Sequence, residues 1–449
     1  MRVLFVSYEV APLYKFGGLG DIAFSLPKAL ENLGVDIRVG MPAYHEMSTP
    51  ALLPGTNVPM LYARDHLFQK PGIIGIHKIP NHRAQAYAYF AQKILSEVKK
   101  VQFIPDIIHL NDWHTALIAF LLKMQPDPYF AKTRILLTIH NTRHQGKFPI
   151  KFLLENPQTR STGLLLAKHG RKNVNYLRRG IIHADWITTV STYFAREIIH
   201  SQFGFGMTAY IQAKANHFQG ILNGIDYDQW NTSTAKHIHT TYSVASVKVG
   251  KEANKQWLQE KVHLPIVSEV PLYAMIARLS WQKGFRILTP VLEELLEKRA
   301  LQVVVLGQGA GYIAESLKHL TERFPRKMVF LNTYSESYAQ RIYAGSDFFL
   351  VPSVFEPCGL TQMIAMRYGT LPLTTAVGGL ADTVTHGKTG FVFHGHNQRA
   401  LKNMMLTSLD LFWNEKELLQ KMRTQAMRKD FSSRKSARAY LKLYQKMLA

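Results

Sequence analysis

Arginine and lysine stand five residues apart in Arg278-Leu279-Ser280-Trp281-Gln282-Lys283-Gly284, a stretch that follows the apolar run 271–276. Arginine offers a bidentate fork and lysine a point charge, so the pair can grip one diphosphate. Further on, Pro352-Ser353-Val354-Phe355-Glu356-Pro357-Cys358-Gly359-Leu360-Thr361-Gln362 follows the run 347–351 and sets a carboxylate directly before a glycine-opened helix. The backbone amides of Cys358, Gly359, Leu360 and Thr361 then suit phosphate oxygens, while Glu356 suits sugar hydroxyls. A plainer alternative leaves Glu356 as a charge that complements a helix N-terminus.

A third loop lies near the start, Tyr14-Lys15-Phe16-Gly17-Gly18-Leu19-Gly20-Asp21, after the run 2–7. Glycines at a helix mouth let amides approach an anion and Lys15 adds a mobile charge, so diphosphate binding competes with a simple tight turn. The loop does not end in the Gly-Lys-Ser/Thr of a Walker A sequence. Polar groups suited to sugar hydroxyls follow two further runs, in His109-Leu110-Asn111-Asp112-Trp113-His114 and Thr138-Ile139-His140-Asn141. Against that reading, Asp112 would cap a helix and His109 would be a core histidine. His140 and His144 are four apart, yet with no HExxH in a helix they predict no metal site. Gly378-Gly379-Leu380-Ala381-Asp382-Thr383 repeats the device of glycines before a helix, and Gly307-Gln308-Gly309-Ala310-Gly311 reads as a tight turn.

These loops need a scaffold that delivers them to one edge. Short apolar runs at 2–7, 35–39, 106–110, 134–139 and 186–190 alternate with helix-length amphipathic segments. A second series follows at 271–276, 301–306, 328–331, 347–351 and 370–373. That is the pattern of parallel βα units, and two doubly wound α/β sheets in series are expected, with ligand loops at the strand carboxyl ends. The polar stretch 223–260, opened by Asn223-Gly224, marks the boundary. The expected domains are therefore 1–222, 223–429 and a C-terminal helical segment, 430–449. In that last segment Ser432 and Ser433 are candidate N-caps, and Ala437, Tyr440, Leu441, Tyr444 and Leu448 form an apolar face.

The 449 residues carry 54 Lys+Arg against 31 Asp+Glu, a formal charge of +23. With 47% apolar and 19% charged residues, disorder is excluded. No uncharged apolar run reaches the roughly 18 residues of a membrane span, and the N-terminus reads as a buried strand rather than a signal peptide. A lone Cys358 permits no internal disulfide, which sets a cytoplasmic expectation. The charge invites nucleic acid, a membrane surface or a phosphorylated substrate. Its basic residues are diffuse and form no recognition helix or RNA-binding motif, so neither a specific nucleic acid nor a membrane is expected. No feature assigns an oligomeric state.

In order and spacing, the motifs resemble the bacterial glycogen synthases and plant starch synthases. The resemblance rests on KFGGLGD at 15–21, NDWH at 111–114, TIHN at 138–141, HADWITTVSTYFAREI at 183–198 and LNGID at 222–226. It continues through ARLSWQKG at 277–284, YAGSDFFLVPSVFEPCGLTQ at 343–362, MRYGTLPL at 366–373 and GGLADTV at 378–384. It implies a GT-B fold, two Rossmann-like domains facing a central cleft with the C-terminal helix crossing back. The implied activity is retaining transfer of glucose from ADP-glucose to the non-reducing end of an α-1,4-glucan, without a cofactor. By family pattern Lys15 and the Gly17 and Gly18 amides contact the donor diphosphate, and Arg278 and Lys283 neutralise the leaving nucleotide. Glu356 positions the transferred glucose, His140 and Asp112 lie at the sugar and acceptor side, Tyr334 stacks on the base, and Asn223 lies near the hinge.

Related enzymes with a glutamate pair carry a second Glu eight positions after the first, where this chain has Ile364. One carboxylate beside a cationic clamp also favours transfer over hydrolysis, which uses two flanking carboxylates. Three departures from the family pattern stand out. The usual arginine before the Gly-Gly pair is missing at Thr375 and Ala376. After TIHN comes Thr142-Arg143-His144 in place of an apolar-aromatic stretch. The segment 45–85 is short and rich in Lys, Arg and His. The first two motivate the alternative of a catalytically weakened, glucan-binding or regulatory homologue.

Overall fold

The structure, a computed structural model, describes residues 1–45, 47–68, 80–169 and 172–449. The basic segment 45–85 therefore lies partly outside the described residues. Two compact units form the chain: Met1–Gly224 with Ser432–Ala449, and Ile225–Phe431. Among the described residues no helix is long and apolar enough to cross a membrane.

Unit 1 contains strands β1 (Arg2–Val6), β2 (Asp36–Pro42), β3 (Met60–Ala63), β4 (Ile107–Asn111), β5 (Arg134–Ile139), β6 (Lys147–Pro149), β7 (Asn173–Asn175), β8 (Trp186–Thr189) and β9 (Phe218–Gly220). Seven of them pair in the order β3-β2-β1-β4-β5-β8-β9, all in parallel. Helices cover both faces of such a sheet, which is why Val3 to Val6 are wholly buried and the strand reads as one apolar run. The short β6–β7 pair is antiparallel and separate. Strands β3, β6, β7 and β9 are additions to the expected series.

The C-terminal helix Ser433–Leu448 belongs to this unit and packs on the helix Gly18–Glu31. The Ser432 hydroxyl accepts the Lys435 N–H as its N-cap. Its buried face is Ala437, Tyr440, Leu443, Tyr444 and Met447, whereas Leu448 is 43% exposed and Leu441 only half-buried. The expected stripe was therefore out of phase at two positions. Tyr440 lies near the middle of the buried face, and residues 441 and 448 fall roughly 80–100° round from it, at the edge of that face.

Unit 2 contains β10 (Leu272–Ile276), β11 (Gln302–Leu306), β12 (Met328–Leu331), β13 (Phe348–Val351), β14 (Leu371–Thr375) and β15 (Phe391–Phe393). Their order is β12-β11-β10-β13-β14-β15, again all parallel. The boundary between the units falls inside the polar stretch 223–260, after Gly224. Most of it opens unit 2, with helix Val247–Lys261 laid against helix Glu336–Gly345. Lys251 is buried there, and its Nζ shares its N–H donors among four acceptors, the carbonyls of Tyr343, Ala344 and Tyr368 and the Thr370 hydroxyl, at 2.6–3.3 Å. The Tyr242 hydroxyl donates to the Tyr368 carbonyl at 2.8 Å. Part of the polarity here thus serves buried hydrogen bonds, while residues such as Ser233, Lys236, His237 and Ser243 are exposed.

Candidate active site

Strand order reverses between β10 and β13 in unit 2, and between β1 and β4 in unit 1. At such a reversal the two loops leave the sheet in opposite directions and open a crevice at the strand carboxyl ends. The loops concerned are 277–284 and 352–360, then 7–17 and the segment beginning at Asp112. They are the loops that carry most of the chemically notable residues.

In unit 2 the first two loops are zipped together. Val354 N–H donates to the Gln282 carbonyl at 2.9 Å, and Gln282 Nε2 donates to the Phe355 carbonyl at 2.8 Å. This lays Lys283 against Glu356, whose Oε2 accepts from Lys283 Nζ at 2.6 Å and from Ser353 Oγ at 3.0 Å. Glu356 is 7% exposed, so its carboxylate is both oriented and charge-matched. Lys283 is thus committed partly to Glu356, a partnership the sequence reading did not include. Arg278 is exposed on the same loop. The turn Gly307–Gly309 supports it from beneath, since Leu279 N–H donates to the Gln308 carbonyl and Ala310 N–H to the Leu279 carbonyl, both at 2.8 Å.

Gly284 has φ +80°, and a Cβ there would lie 1.8 Å from the Pro352 carbonyl oxygen. Gly284→Ala is therefore expected to part the two loops and displace Lys283 from Glu356. An expected outcome is a loss of about 10²-fold in kcat/KM with a lowered melting temperature. Gly311→Ala, where nothing lies within 4 Å, should leave both unchanged.

Beyond Glu356, the helix Thr361–Arg367 starts with Leu360 as N-cap and no side-chain cap, directly after Gly359 at φ +73°. Its first amides keep the orphan donors of any uncapped helix start. Gly378 and Gly379 have a different task from the one their sequence suggested. Gly379 N–H donates to the Glu356 carbonyl at 3.0 Å, and side chains at 378 or 379 would strike the backbone of Glu356 or Cys358 within 1.9–2.2 Å. They buttress the Glu356 loop and leave the Gly379 amide engaged. Thr375, one of the two positions at which the expected arginine is missing, is buried at the end of β14 with an unpartnered hydroxyl. Tyr334 follows β12 and is 53% exposed.

In unit 1, Gly17 is the extended N-cap of the helix Gly18–Glu31. Its amide is taken by the Glu9 carboxylate at 2.8 Å, and Glu9 also binds the Phe16 amide. The Gly17 amide, expected to contact the donor diphosphate, donates here to a protein carboxylate. Glu9 is 1% exposed, with Oε1 buried and unpartnered. Burial pushes its carboxyl up, opposed by the Phe16 and Gly17 amides. Sequence reading passed over Glu9, although a carboxylate just beyond the first strand was the available signal. Lys15 Nζ meets Asp21 Oδ1 at 2.7 Å.

Asp112 adopts φ +58° and does not cap the short helix it opens. Its Oδ1 instead accepts the amides of His140 at 2.7 Å and Asn141 at 3.3 Å, joining the loops after β4 and β5. Asn111 Nδ2 donates to the Val6 carbonyl at 3.0 Å, which turns its Oδ1 toward His140 Nε2 at 2.9 Å. His140 therefore carries its proton on Nε2 and keeps Nδ1 as an acceptor. Burial pushes its pKa down to about 3, so the ring is neutral. His109 is a core residue, bonded to Tyr444 Oη at 2.7 Å and Thr138 Oγ1 at 2.6 Å. Asn223 lies one residue before the end of the first segment of unit 1, 4% exposed with Oδ1 unpartnered. Among the described residues no group of three or more His, Cys, Asp or Glu could hold a metal.

Burial raises the Asp112 carboxyl to about 7, the His140 and Asn141 amides opposing and the Glu9 charge adding. Between about pH 4 and 7 the folded chain then binds more protons than the unfolded one, so stability falls as pH rises through that window. Asp112→Asn keeps the acceptor oxygen and should flatten this dependence, as denaturant unfolding at pH 5 and pH 8 would report.

Comparison with known proteins supplies the family. The starch synthase catalytic domain family matches residues 2–213, and glycosyl transferases group 1 matches residues 258–429. Glycogen synthase of Lacticaseibacillus casei is 36% identical over 100% of this chain and 99% of its own length. The Vibrio parahaemolyticus glycogen synthase gives the same identity and coverage. Among solved structures, the catalytic domain of starch synthase IV from Arabidopsis thaliana, bound to ADP and acarbose, is similar at TM-score 0.88 and 29% identity, covering 100% of this chain and 99% of that one. Sucrose-phosphate synthase from Thermosynechococcus elongatus, at TM-score 0.67 and 18% identity over 99% and 98%, shares the GT-B fold. With more than a third of positions identical from end to end, the chain belongs to the glycogen synthase family.

Proposed function

We propose that the chain transfers glucose, with retention at the anomeric carbon, from ADP-glucose to the non-reducing end of an α-1,4-glucan. The observation that carries this reading is Glu356 held by Lys283 and Ser353 in front of an uncapped helix start. That arrangement suits a glycosyl diphosphate: amides 358–361 and Lys283 for the phosphates, Glu356 for the hydroxyls of the departing sugar. As the bond to phosphate breaks, negative charge grows on the nucleotide and positive charge on the sugar ring. Arg278 and Lys283 stabilise the first and Glu356 the second, each more strongly in the transition state than before it. Lys15 supplies a further cation to the donor, and Tyr334 a stacking surface for its base. Neutral His140, held by Asp112 and Asn111, offers an acceptor to a sugar hydroxyl.

Support for the donor comes from the starch synthase relative bound to ADP and acarbose, and for the acceptor from the glycogen synthases. The test is incubation with glycogen and either ADP-glucose or UDP-glucose, following nucleotide release and outer-chain length. Growth with release of ADP, faster than with UDP-glucose, is expected. Absence of growth with both donors overturns the reading, and co-sedimentation with glycogen without turnover would make the chain a binding homologue.

A further inference from the structure

Unit 1 carries two adjoining cavities of about 830 and 250 Å³ that share Lys147 and Phe148. The larger lies over the β6–β7 pair, with Lys172 and Arg178 added to Lys147. The smaller contains Arg83 and the loop 143–146, which continues directly from His140 and Asn141. No Asp or Glu lines either cavity. Among the described residues, Arg83, Lys147, Lys172 and Arg178 have no carboxylate partner.

Two of these cations are built in rather than loosely displayed. Arg83 is half-buried, stacked over Trp113 at 5.1 Å, with Nε buried and unbonded. Arg178 lies over Tyr210 at 5.7 Å and is also half-buried. Lys147, Lys172 and Arg178 around the larger cavity repel each other, as do Arg83 and Lys147 around the smaller, and a low-dielectric wall focuses that field. The lining also includes the half-buried ring of Tyr210, with Arg178 over one face, while Phe148 is 5% exposed and packs against Trp113 and Tyr176. Aromatic planes suit sugar rings; cations without counter-charges suit an anion on them. Here, too, Arg143 and His144 stand where the family pattern has apolar and aromatic residues.

We propose that these joined cavities hold the acceptor glucan and select chains that carry phosphate monoesters. This rests on the glucan synthase reading above and specifies its acceptor. A phosphate monoester brings nearly two negative charges and several acceptor oxygens, which Lys147, Lys172 and Arg178 can bind together. A neutral glucan leaves those charges uncompensated.

The experiment uses the full chain and two forms of one polymer, phosphorylated amylopectin dextrins and the same dextrins after phosphatase treatment. Initial rates with ADP-glucose give KM for each, and affinity electrophoresis gives binding without turnover. At low salt the phosphorylated form is expected to bind about tenfold more tightly and to show a correspondingly lower KM. The double variant K147Q/R178Q should bring the ratio close to one, and K147R/R178K should restore it. Because both dextrins are measured on one preparation, the ratio does not depend on the fraction folded. Equal KM and equal binding, or a preference that the double variant leaves intact, overturns the proposal. So does RNA or heparin competing as well as the phosphodextrin, since charge alone would then account for binding. If no dextrin is extended, the glucan synthase reading fails, while the electrophoretic ratio still tests phosphate selection.

Discussion

Glu356→Gln is expected to lower kcat by about 10²–10³-fold while changing KM for ADP-glucose only slightly. Glutamine keeps the shape, so the hydrogen bond from Ser353 can survive. Two things are lost. The ring that acquires positive charge no longer faces an anion, and Lys283 loses the partner that orients it at 2.6 Å. Both losses fall mainly on the transition state, because charge separates only there. Lys283 retains 19% side-chain exposure, so hydration limits the cost to stability and the unfolding midpoint should barely move. Steady-state kinetics beside a melting curve checks both halves. A mild kinetic effect would return Glu356 to the role of a helix-terminal charge.

Asp347→Ala is expected to destabilise unit 2 by about 3–5 kcal/mol, a large part of the roughly 5–15 kcal/mol that holds a typical native protein. Asp347 immediately precedes β13. It accepts from Lys255 Nζ at 2.8 Å, Arg423 Nη2 at 2.5 Å and the Leu272 amide at 2.9 Å. One carboxylate thus ties the start of β10 to helices Val247–Lys261 and Lys416–Arg428. All three side chains are at least nine-tenths buried, so alanine would strand two cations away from water. Burial pushes the Asp347 carboxyl up, but the charges of Lys255 and Arg423 outweigh it and hold it below its ordinary value. The stability it contributes is accordingly present above about pH 4 and is lost as pH falls through the depressed value. Denaturant unfolding of wild type and variant should therefore converge in acid, and added salt should change the gap little because the group is buried.

Much of this molecule is local and was legible as such. Strands β1, β4, β5, β10, β11, β13 and β14 are buried on both faces, so each appears as a largely apolar run, whereas β12 lies at a sheet edge and is half-buried. The polar loops at their carboxyl ends follow from the same alternation. Arg278, Lys283, Glu356 and the Thr361 helix start could be singled out because each combines an unusual residue type with a position just after a strand. Edge and hairpin strands such as β3, β6, β7 and β15 are short and were not seen, and Leu441 and Leu448 fell off the buried face of the last helix. Patterning weakens where a segment contributes few buried residues.

What only the tertiary structure decided is which groups meet. Glu9 accepts the Phe16 and Gly17 amides because the chain folds back on itself after β1, and no spacing rule announces that. Lys283 faces Glu356 across 73 residues because β10 and β13 are neighbours, while Lys251 and Tyr242 look like linker residues until their hydrogen bonds are counted. Residue type and hydrophobic period, carried by each short stretch, determined the elements and the chemical inventory. Strand order, set by long-range burial and complete pairing of polar groups, decided the partners, and partners determine which charges remain available to a substrate.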